Sequence, residues 1–248
     1  MLQFKKIILN LVLGKKASSE ALSKHLQEIG VKIGNRVTFY GAHQISIDEQ
    51  YPWLIEIGDD VQITAGVRIL THDYSWSVLK KVYGPILGCA GKVKIGSNVF
   101  IGSDSTILGG TEIGNNVIIG AGSLVKGKIP DDCVAIGNPC RPVMSLDTFY
   151  AKRLQRQREE CINLGKSYIN RTGLTPPPPQ EVFHEFFFLF EGCKKSDKLN
   201  KCFDDKLKLV GNYAESKASL EEFAPVWNSY DEFIKELYLE IKNENATR

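Results

Sequence analysis

Four histidines are the candidate proton-transfer groups of this 248-residue chain. An imidazole that is neutral near physiological pH can accept a proton from a hydroxyl or an amine, so histidine is the natural general base. His25 lies in a charged N-terminal segment, His43 in an early repeat, and His184 in a phenylalanine-rich stretch near the C-terminus. His72, in the tripeptide THD, stands where a regular sequence pattern stops. We therefore take His72 as the candidate catalytic base.

The pattern that stops there is a six-residue repeat, clearest over residues 93–125. An aliphatic residue recurs at every sixth position, followed by Gly in four of the six cases, and a small or β-branched residue follows four positions later. The aliphatic positions are Ile95, Ile101, Ile107, Ile113, Ile119 and Val125, and the small or β-branched positions are Val99, Ser105, Thr111, Val117 and Ser123. A hexapeptide repeat is typical of a parallel β-helix. We expect three units to close one triangular coil, with the aliphatic side chains pointing inward.

The repeat also covers the segment before His72, and it is interrupted after it. Earlier repeat positions are Ile33, Val37, Phe39, Ile45, Ile57, Ile63 and Ile69. Residues 50–54 fit less well, and we expect them to bulge outward. The distance from Ile69 to Ile95 is not a multiple of six, so residues 74–92 are predicted to leave the coil as an extruded loop. Loops on rigid scaffolds often carry function, which supports a functional role for His72 at the junction.

Composition shifts divide the chain into three predicted segments. Residues 1–30 are predicted to be a helical segment, with Ser18-Ser19-Glu20 opening a helix that ends at Gly30. Residues 31–144 are the β-helix, and residues 145–248 are a helical extension interrupted by the prolines at 176–179. The extension is rich in aromatic residues that cannot all face solvent. We expect it to pack on the β-helix, a partner subunit or a ligand.

The overall composition excludes several classes of protein. The 31 basic and 29 acidic residues nearly balance, which argues against a nucleic-acid-binding surface. The six cysteines show no metal-type pairing, so reduced thiols in a cytoplasmic protein are the expectation. The N-terminal basic and apolar run lacks a small-residue cleavage site, so we predict no export. A basic amphipathic segment lying on a membrane surface stays open as an alternative to a cap over the first coil.

The residues next to His72 supply candidate substrate contacts. The rings of Tyr74 and Trp76 could stack on the apolar face of a pyranose, or they could fix the loop to a neighbouring subunit. Asp73 could orient the imidazole or cap a turn, and an acidic residue or a backbone carbonyl elsewhere could orient the imidazole instead. We list Asp73, Tyr74 and Trp76 as candidate substrate-binding residues.

The stretch THDYSW, the repeat run KVKIGSNVFIGS and the segment GNPCRPV together resemble the hexapeptide-repeat acyltransferases. The resemblance covers residues 33–144 and is strongest to bacterial sugar O-acetyltransferases of polysaccharide and lipopolysaccharide assembly, and to galactoside and maltose acetyltransferases. It implies a left-handed parallel β-helix, an exception to the right-handed crossover rule. It also implies a homotrimer with its active sites between subunits.

The resemblance further implies an activity and a co-substrate. An acetyl group would pass from acetyl-CoA directly to a sugar hydroxyl, with His72 as general base and without a metal or a cysteine or serine nucleophile. Ser103 and Ala121 match positions that contact the pantetheine arm, and Arg141 matches a basic residue near the nucleotide phosphates. Lys126 departs from the usual threonine and is a further candidate phosphate contact.

Three alternatives remain open from the sequence. The first is N-acetylation of an amino sugar or a xenobiotic on the same fold. The second is a zinc enzyme of the γ-carbonic-anhydrase type, although no histidine falls in the regular coils of residues 95–125. The third is a non-catalytic β-helix scaffold. The acceptor sugar and the reacting hydroxyl are not specified by the sequence.

Overall fold

The computed structural model describes residues 12–189 and 201–246, and the chain divides between Phe149 and Tyr150 into two compact units. The helices are α1 (Ser19–Glu28), α2 (Trp76–Tyr83), α3 (Leu146–Thr172), α4 (Lys201–Leu207), α5 (Tyr213–Glu222) and α6 (Tyr230–Ala246). The strands are β1 (Lys32–Ile33), β2 (Thr38–Phe39), β3 (Ser46–Ile47), β4 (Ile55–Ile57), β5 (Gln62–Ile63), β6 (Arg68–Ile69), β7 (His72–Asp73), β8 (Cys89–Ala90), β9 (Val93–Ile95), β10 (Val99–Ile101), β11 (Thr106–Ile107), β12 (Thr111–Ile113), β13 (Val117–Ile119), β14 (Leu124–Val125), β15 (Lys128–Ile129), β16 (Cys133–Ile136) and β17 (Arg141–Ser145).

Three sheets form the coils of the first unit, and the chain visits them in turn. The first sheet has the order β1-β4-β9-β12-β15, the second β17-β16-β13-β10-β5-β2, and the third β14-β11-β6-β3. All of these pairs are parallel except β16 with β17, which form an antiparallel hairpin at the end of the coils. In the regular part Ile101 pairs with Ile119, a separation of 18 residues, or three six-residue units. The unit is therefore a three-sided parallel β-helix, as the repeat predicted.

The repeated aliphatic residues form one continuous core inside the coils. The buried members at the repeat positions are Phe39, Ile57, Ile63, Ile69, Ile95, Ile101, Ile107, Ile113, Ile119 and Val125. The small or β-branched positions are also buried, and the hydroxyl groups among them find backbone acceptors: Ser105 and Ser123 both donate to the carbonyl of Gly120. Burying one isoleucine side chain stabilises the fold by about 1.5–3 kcal/mol, so this column is the main source of its stability.

The corners of the coils explain the glycine and asparagine of each repeat. A Cβ added to Gly96 would lie 2.5 Å from the carbonyl oxygen of Gly114 in the next coil, so a side chain does not fit there. Asn98, two residues later, has a φ of 55°, a left-handed conformation that asparagine tolerates. Its side-chain amide donates to Asn116 Oδ1 at 2.9 Å, which links consecutive corners.

Insertions in the early coils shift one predicted strand. The spacing of six placed Ile45 in the strand, but β3 begins at Ser46, and Ile47 pairs with Ile69. A 3-10 turn at Ala42–Gln44, entered through Gly41 with a φ of 66°, supplies the extra residues, although the Ile45 side chain stays buried. The predicted bulge at residues 50–54 is confirmed as a second insertion that contains a 3-10 turn at Pro52–Leu54.

Helix α1 covers the first coil, as predicted for part of the N-terminal segment. Its N-cap, Ser18, accepts a hydrogen bond from the backbone N–H of Ala21 at 3.1 Å, and the helix ends at Glu28. Leu22 and Leu26 are buried in the β-helix core. The prediction for residues 1–11 lies outside the described residues. Among the helices that the structure describes, none is both long and apolar enough to cross a bilayer.

The second unit has its own aromatic core. Helix α3 ends at Thr172, before the prolines, as predicted, whereas the stretch predicted to be helical after them forms 3-10 turns at Gln180–Phe183 and Phe187–Leu189. The buried side chains of this core are Cys161, Ile162, Ile169, Phe183, Phe187, Leu189, Phe203, Trp227, Phe233 and Leu237. The aromatic residues of this core thus bury one another. This arrangement was not among the expectations from the sequence, and it removes the need for an external partner to cover these particular rings.

Candidate functional site

His72 and Asp48 form a hydrogen-bonded pair where the chain leaves the third sheet. His72 Nδ1 lies 2.5 Å from Asp48 Oδ2. The same oxygen accepts a hydrogen bond from the backbone N–H of Thr71 at 3.1 Å and another from the Thr71 hydroxyl. Asp48 Oδ1 accepts from the backbone N–H of Gln50 at 2.8 Å. The side chains of His72 and Asp48 are only 14% and 5% exposed, so this pair is largely shielded from water.

The stacking of coils brings these two distant residues together. Asp48 directly follows β3, in which Ile47 pairs with Ile69 of β6, and the backbone N–H of Asp48 donates to the Ile69 carbonyl at 2.9 Å. The Asp48 carboxylate therefore meets the residues that follow β6, including His72. From the sequence, an acidic residue elsewhere in the chain was one candidate for the group that orients the imidazole. In the structure, Asp48 is the acidic residue that contacts His72 Nδ1. The available signal was a carboxylate at a strand end one coil before the histidine.

The environment of Asp48 favours its ionised form. Burial of the carboxyl opposes ionisation, but hydrogen bonds from the Thr71 hydroxyl, the Gln50 N–H and His72 outweigh it and hold the pKa of Asp48 below its ordinary value. An ionised carboxylate can only accept hydrogen bonds, so the hydrogen-bond pattern assigns the shared proton to His72 Nδ1. In that tautomer Nε2 carries the lone pair, and it is the nitrogen that can accept a proton.

His72 stands at the base of the predicted extruded loop, which the structure confirms. Strand β7 pairs with β8 in an antiparallel hairpin, with His72 opposite Ala90, and helix α2 lies between the two strands. The backbone N–H of Gly91 donates to the Thr71 carbonyl at 2.8 Å, which closes the base of the hairpin onto the coil. The position of the His72 backbone is therefore fixed from both sides of the loop.

Aromatic rings surround the imidazole. The rings of Tyr51 and Tyr74 each lie 5.2 Å from the His72 ring, centroid to centroid, in edge-to-face geometry. Trp53 packs against Tyr51 at 5.6 Å, and Trp76 lies 6.1 Å from Tyr74. Trp53 and Tyr74 are 65% and 61% exposed. Tyr51 and Trp53 come from the inserted 48–54 segment and were not named from the sequence; their aromatic character inside an irregular repeat was the available signal.

Asp73 takes the turn-capping role that the sequence analysis considered. Its Oδ1 accepts a hydrogen bond from the backbone N–H of Ser75 at 2.8 Å, and the side chain is exposed. Hydrogen bonds from the side chain and backbone of Ser75 hold the pKa of Asp73 below its ordinary value. The imidazole of His72 is held by Asp48 instead, so the orienting role considered for Asp73 falls to Asp48. Its role in substrate binding stays a prediction.

The two residues predicted to contact pantetheine are neighbours in consecutive coils. Ser103 and Ala121 lie in the turns that lead from the second sheet to the third, and the N–H of Gly122 donates to the Ser103 carbonyl at 2.8 Å. Ala121 is exposed, and the Ser103 hydroxyl donates to Thr64 Oγ1 at 3.3 Å. His72 follows the third sheet. Within one chain, the third sheet therefore separates these two positions from the imidazole.

The two basic residues predicted near the phosphates are exposed and lie on different elements. Lys126 follows β14, and its charge contributes to the low pKa of Asp73, so it lies near the base of the loop. Arg141 begins β17, and its Nη1 donates to the carbonyl oxygen of Cys140 at 2.8 Å. Both keep their charge available to an anionic ligand, and their cofactor-binding roles stay predictions.

The other histidines occupy structural or surface positions. His25 Nε2 lies 3.3 Å from Glu49 Oε2, His43 is exposed in a 3-10 turn, and His184 Nδ1 lies 2.9 Å from the Glu181 carbonyl oxygen. In the part of the chain that the structure describes, no cluster of three or more histidine, cysteine or acidic side chains is arranged to hold a metal. The described cysteine side chains are free thiols, and burial raises the pKa of Cys161 to about 12.

One family model and two bacterial proteins are similar to parts of this chain. The family model for the bacterial transferase hexapeptide (six repeats) matches residues 92–127. The chain is 38% identical over 155 residues to Protein CapG of Staphylococcus aureus, covering 59% of this chain and 89% of that protein. It is 31% identical over 129 residues to the putative acetyltransferase YvoF of Bacillus subtilis (strain 168), covering 52% and 68%.

A galactoside acetyltransferase in complex with coenzyme A is among the similar solved structures, at 24% identity and a TM-score of 0.41, covering 58% of this chain and 82% of that one. Protein CapG and YvoF are each at least 30% identical to this chain over more than two thirds of their own length, and the family model covers the regular coils of residues 92–127. The chain belongs to the hexapeptide-repeat acyltransferases.

Proposed function

We propose that the protein is an acetyl-CoA-dependent O-acetyltransferase that transfers an acetyl group to a sugar hydroxyl, with His72 as general base. The observation that carries the proposal is the Asp48–His72 pair at the base of an aromatic-lined hairpin. A half-buried, oriented imidazole next to exposed aromatic rings combines a proton acceptor with a surface suited to a sugar ring. The family membership supplies the reaction class.

The proposed reaction needs only one proton acceptor from this chain. Acetyl-CoA, when bound, supplies the thioester carbonyl that the sugar oxygen attacks. His72 Nε2 takes the proton from the hydroxyl as the oxygen attacks, and Asp48 stabilises the imidazolium that forms. The imidazolium then returns this proton to the departing thiolate, so the base is regenerated. Direct transfer requires no covalent intermediate on the protein.

Asp48 acts in this mechanism as a positioning residue. Its carboxylate fixes the tautomer and the ring orientation of His72, while Thr71 and Gln50 fix the carboxylate in turn. Because Asp48 is almost fully buried, its charge interacts with the imidazolium in a region of low dielectric, where the interaction is stronger than in water. A histidine without this partner could rotate away from the acceptor.

We assign the acceptor platform to aromatic residues from both segments that flank His72. Tyr74 and Trp76 come from the hairpin, and Tyr51 and Trp53 come from the inserted segment. The hydroxyl of Tyr74 donates to Gln50 Oε1 at 3.2 Å, so the two segments are joined beside the imidazole. Trp53 and Tyr74, which are the exposed members of the four, present flat apolar faces to which the C–H face of a pyranose can bind.

For the co-substrate, we propose the corner of Ser103 and Ala121 as the contact for the pantetheine arm. Their small side chains fit close approach of an extended ligand, and the corner is tightly packed: a Cβ on Gly102 would lie 2.4 Å from the Ala121 nitrogen. Lys126 and Arg141 would bind the phosphates, because both side chains are exposed and cationic. Asp73 remains a candidate substrate contact.

The site requires a second subunit in this proposal, since the third sheet separates His72 from Ser103 within one chain. We propose a homotrimer of left-handed β-helices with sites between subunits, acting in the cytoplasm in the synthesis of a cell-surface polysaccharide or lipopolysaccharide. The outward residues of the first sheet alternate in charge (Lys32, Glu56, Lys94, Glu112, Lys128), which suits a solvated face. The second sheet instead has adjacent apolar side chains in its outward row, Phe100, at 42% exposure, and Ile118, which favours this sheet as a contact surface.

The proposed domain roles follow the same division. We propose residues 31–144 as the catalytic domain, with residues 1–30 as its cap and residues 145–248 as an accessory extension. N-acetylation of an amino sugar or a xenobiotic would use the same base, and a non-catalytic scaffold would use none. Measuring acetyl transfer to both saccharides and amino sugars distinguishes O-acetylation, N-acetylation and the absence of catalysis.

The decisive experiment measures thiol release from acetyl-CoA with a panel of saccharides and amino sugars, for the native chain and for His72→Ala. The matched control is His43→Ala, which removes an exposed histidine from an early coil. We expect His72→Ala to lose about 10²-fold or more of the rate while coenzyme A still binds, and the control to keep its rate. An undiminished rate in His72→Ala would refute the mechanism. Absence of coenzyme A binding in the native chain would favour the scaffold.

A further inference from the structure

Glu49 lies between two residues of the candidate site and is held by the N-terminal segment. Its carboxylate accepts two hydrogen bonds from Lys15 Nζ, at 2.6 and 2.8 Å, and His25 Nε2 lies 3.3 Å from Oε2. Lys15 Nζ also lies 3.2 Å from His25 Nε2, so the three groups form one cluster. The proposed reaction does not use this cluster directly, although Glu49 immediately follows Asp48 in the chain.

The side chains of residues 48–50 contact different parts of the chain. Asp48 binds Thr71 and His72, Glu49 binds Lys15 and His25, and Gln50 accepts a hydrogen bond from Tyr74. Glu49 thus reaches the N-terminal segment, while its neighbours Asp48 and Gln50 reach the site. Residues 48–50 are therefore held by contacts with the N-terminal segment and by contacts with the candidate site.

A second contact strengthens the same attachment. Lys16, next to Lys15, donates from Nζ to the carbonyl oxygen of Ile45 at 2.8 Å, at the entry to β3. The N-terminal segment thus contacts the chain on each side of β3, at Ile45 before the strand and at Glu49 after it. Burial opposes ionisation of Glu49, but hydrogen bonds from Lys15 and His25 hold its pKa below the ordinary value, so the cluster favours the charged carboxylate.

We propose that Glu49, held by Lys15 and His25, is a positioning residue that sets the Asp48 carboxylate against His72. The inference rests on the proposed function, because it assigns Glu49 a role in the reaction of His72. The ion pair is about 40% exposed on each side, so it adds little to global stability. Its effect is local: a small displacement of residues 48–50 would move the carboxylate away from Nδ1.

The kinetic test compares Glu49→Gln with Glu28→Gln, which breaks an exposed pair with Lys24 on the adjacent helix. We expect Glu49→Gln to lower kcat by about threefold to tenfold with both KM values unchanged, because misplaced catalytic groups reduce turnover rather than binding. Glu28→Gln should keep full kcat and shift the melting temperature by a similar small amount. A full kcat in Glu49→Gln, or an equal loss in Glu28→Gln, would overturn the proposal.

Three further variants separate positioning through Asp48 from a general effect. In the background of Asp48→Asn, Glu49→Gln should cause no additional loss, because the two changes act on the same contact. An additional loss of the same size would overturn the proposal. Lys15→Met should reproduce the loss, whereas Lys15→Arg should keep most of the rate. The Lys15 variants carry the test if Glu49→Gln does not fold.

A readout that needs no activity distinguishes failure of this proposal from failure of the proposed function. The imidazole signals of His72 are identified in NMR spectra by their absence in His72→Ala. We expect Glu49→Gln to shift the His72 Nδ1–H signal and Glu28→Gln to leave it unchanged. An unchanged signal in both would overturn the proposal, even if the native chain released no thiol with any acceptor.

Discussion

The Oδ2 atom of Asp48 lies 2.5 Å from Nδ1 of His72, although 24 residues separate the two in the chain. The contact joins a carboxylate at the end of β3 to an imidazole at the start of the hairpin. It leaves Nε2 as the basic nitrogen, which is the requirement for a general base in acyl transfer to a hydroxyl. Both the turnover and the acid stability of the protein should therefore depend on Asp48.

Asp48→Asn should lower kcat by about 10- to 100-fold with little change in either KM. The amide is nearly isosteric, but it carries no charge to stabilise the imidazolium, and its N–H can donate a hydrogen bond to Nδ1, which favours the tautomer with the proton on Nε2. Steady-state thiol release measures the effect. Asp60→Asn is the control, because the Asp60 carboxylate pairs with Arg36 at a different corner of the coil and has no proposed role in the site. Equal losses in the two variants would contradict the assignment of Asp48.

Acid should weaken the native fold partly through Asp48. Its pKa in the folded state lies below the ordinary value, so its contribution to stability is fully present above the ordinary pKa of about 3.9 and is lost as the pH falls through the lower folded-state pKa. Urea unfolding of the first unit, followed between pH 7 and pH 2, should therefore depend less on pH in Asp48→Asn than in the native chain. An identical pH dependence would show that Asp48 is not linked to folding.

Trp53→Ala should raise the KM for the acceptor about tenfold and leave the KM for acetyl-CoA unchanged. The ring is 65% exposed and packs on Tyr51 beside the imidazole, so its loss removes stacking surface without opening the core. Tyr150→Ala removes an equally exposed ring from the second unit and serves as the control. Unchanged acceptor kinetics in Trp53→Ala would remove this residue from the proposed platform.

Ile101→Ala should destabilise the β-helix by about 2–5 kcal/mol. The side chain is fully buried in the middle of the aliphatic column, where neighbouring coils cannot close the cavity. Ile86→Ala, in the exposed part of the loop, should change stability by no more than about 0.5 kcal/mol. Chemical denaturation with a probe of the first unit measures both, and similar values for the two variants would contradict the assignment of the core.

Much of the architecture followed from the repeat alone. Neither a helix nor an ordinary alternating strand has a period of six, so parallel stacking, the inward aliphatic column and the departure of the loop after His72 were all predicted. These features depend on local spacing, which the sequence contains. The same reasoning misplaced β3 because the 3-10 turn before Ile47 changes the count of residues without changing the aliphatic character of Ile45.

The partners of His72 depended on the tertiary structure. In regular coils residues 18 apart are neighbours, as Ile101 and Ile119 are, but the inserted 48–54 segment makes the separation 22 between Ile47 and Ile69. Only the folded path of that insertion brings Asp48 to His72. The aromatic core of the second unit is a similar case, because the sequence required its rings to be buried but did not specify what would cover them. The sequence by itself determined the repeating frame and the catalytic candidate, whereas non-local packing decided which side chains meet it.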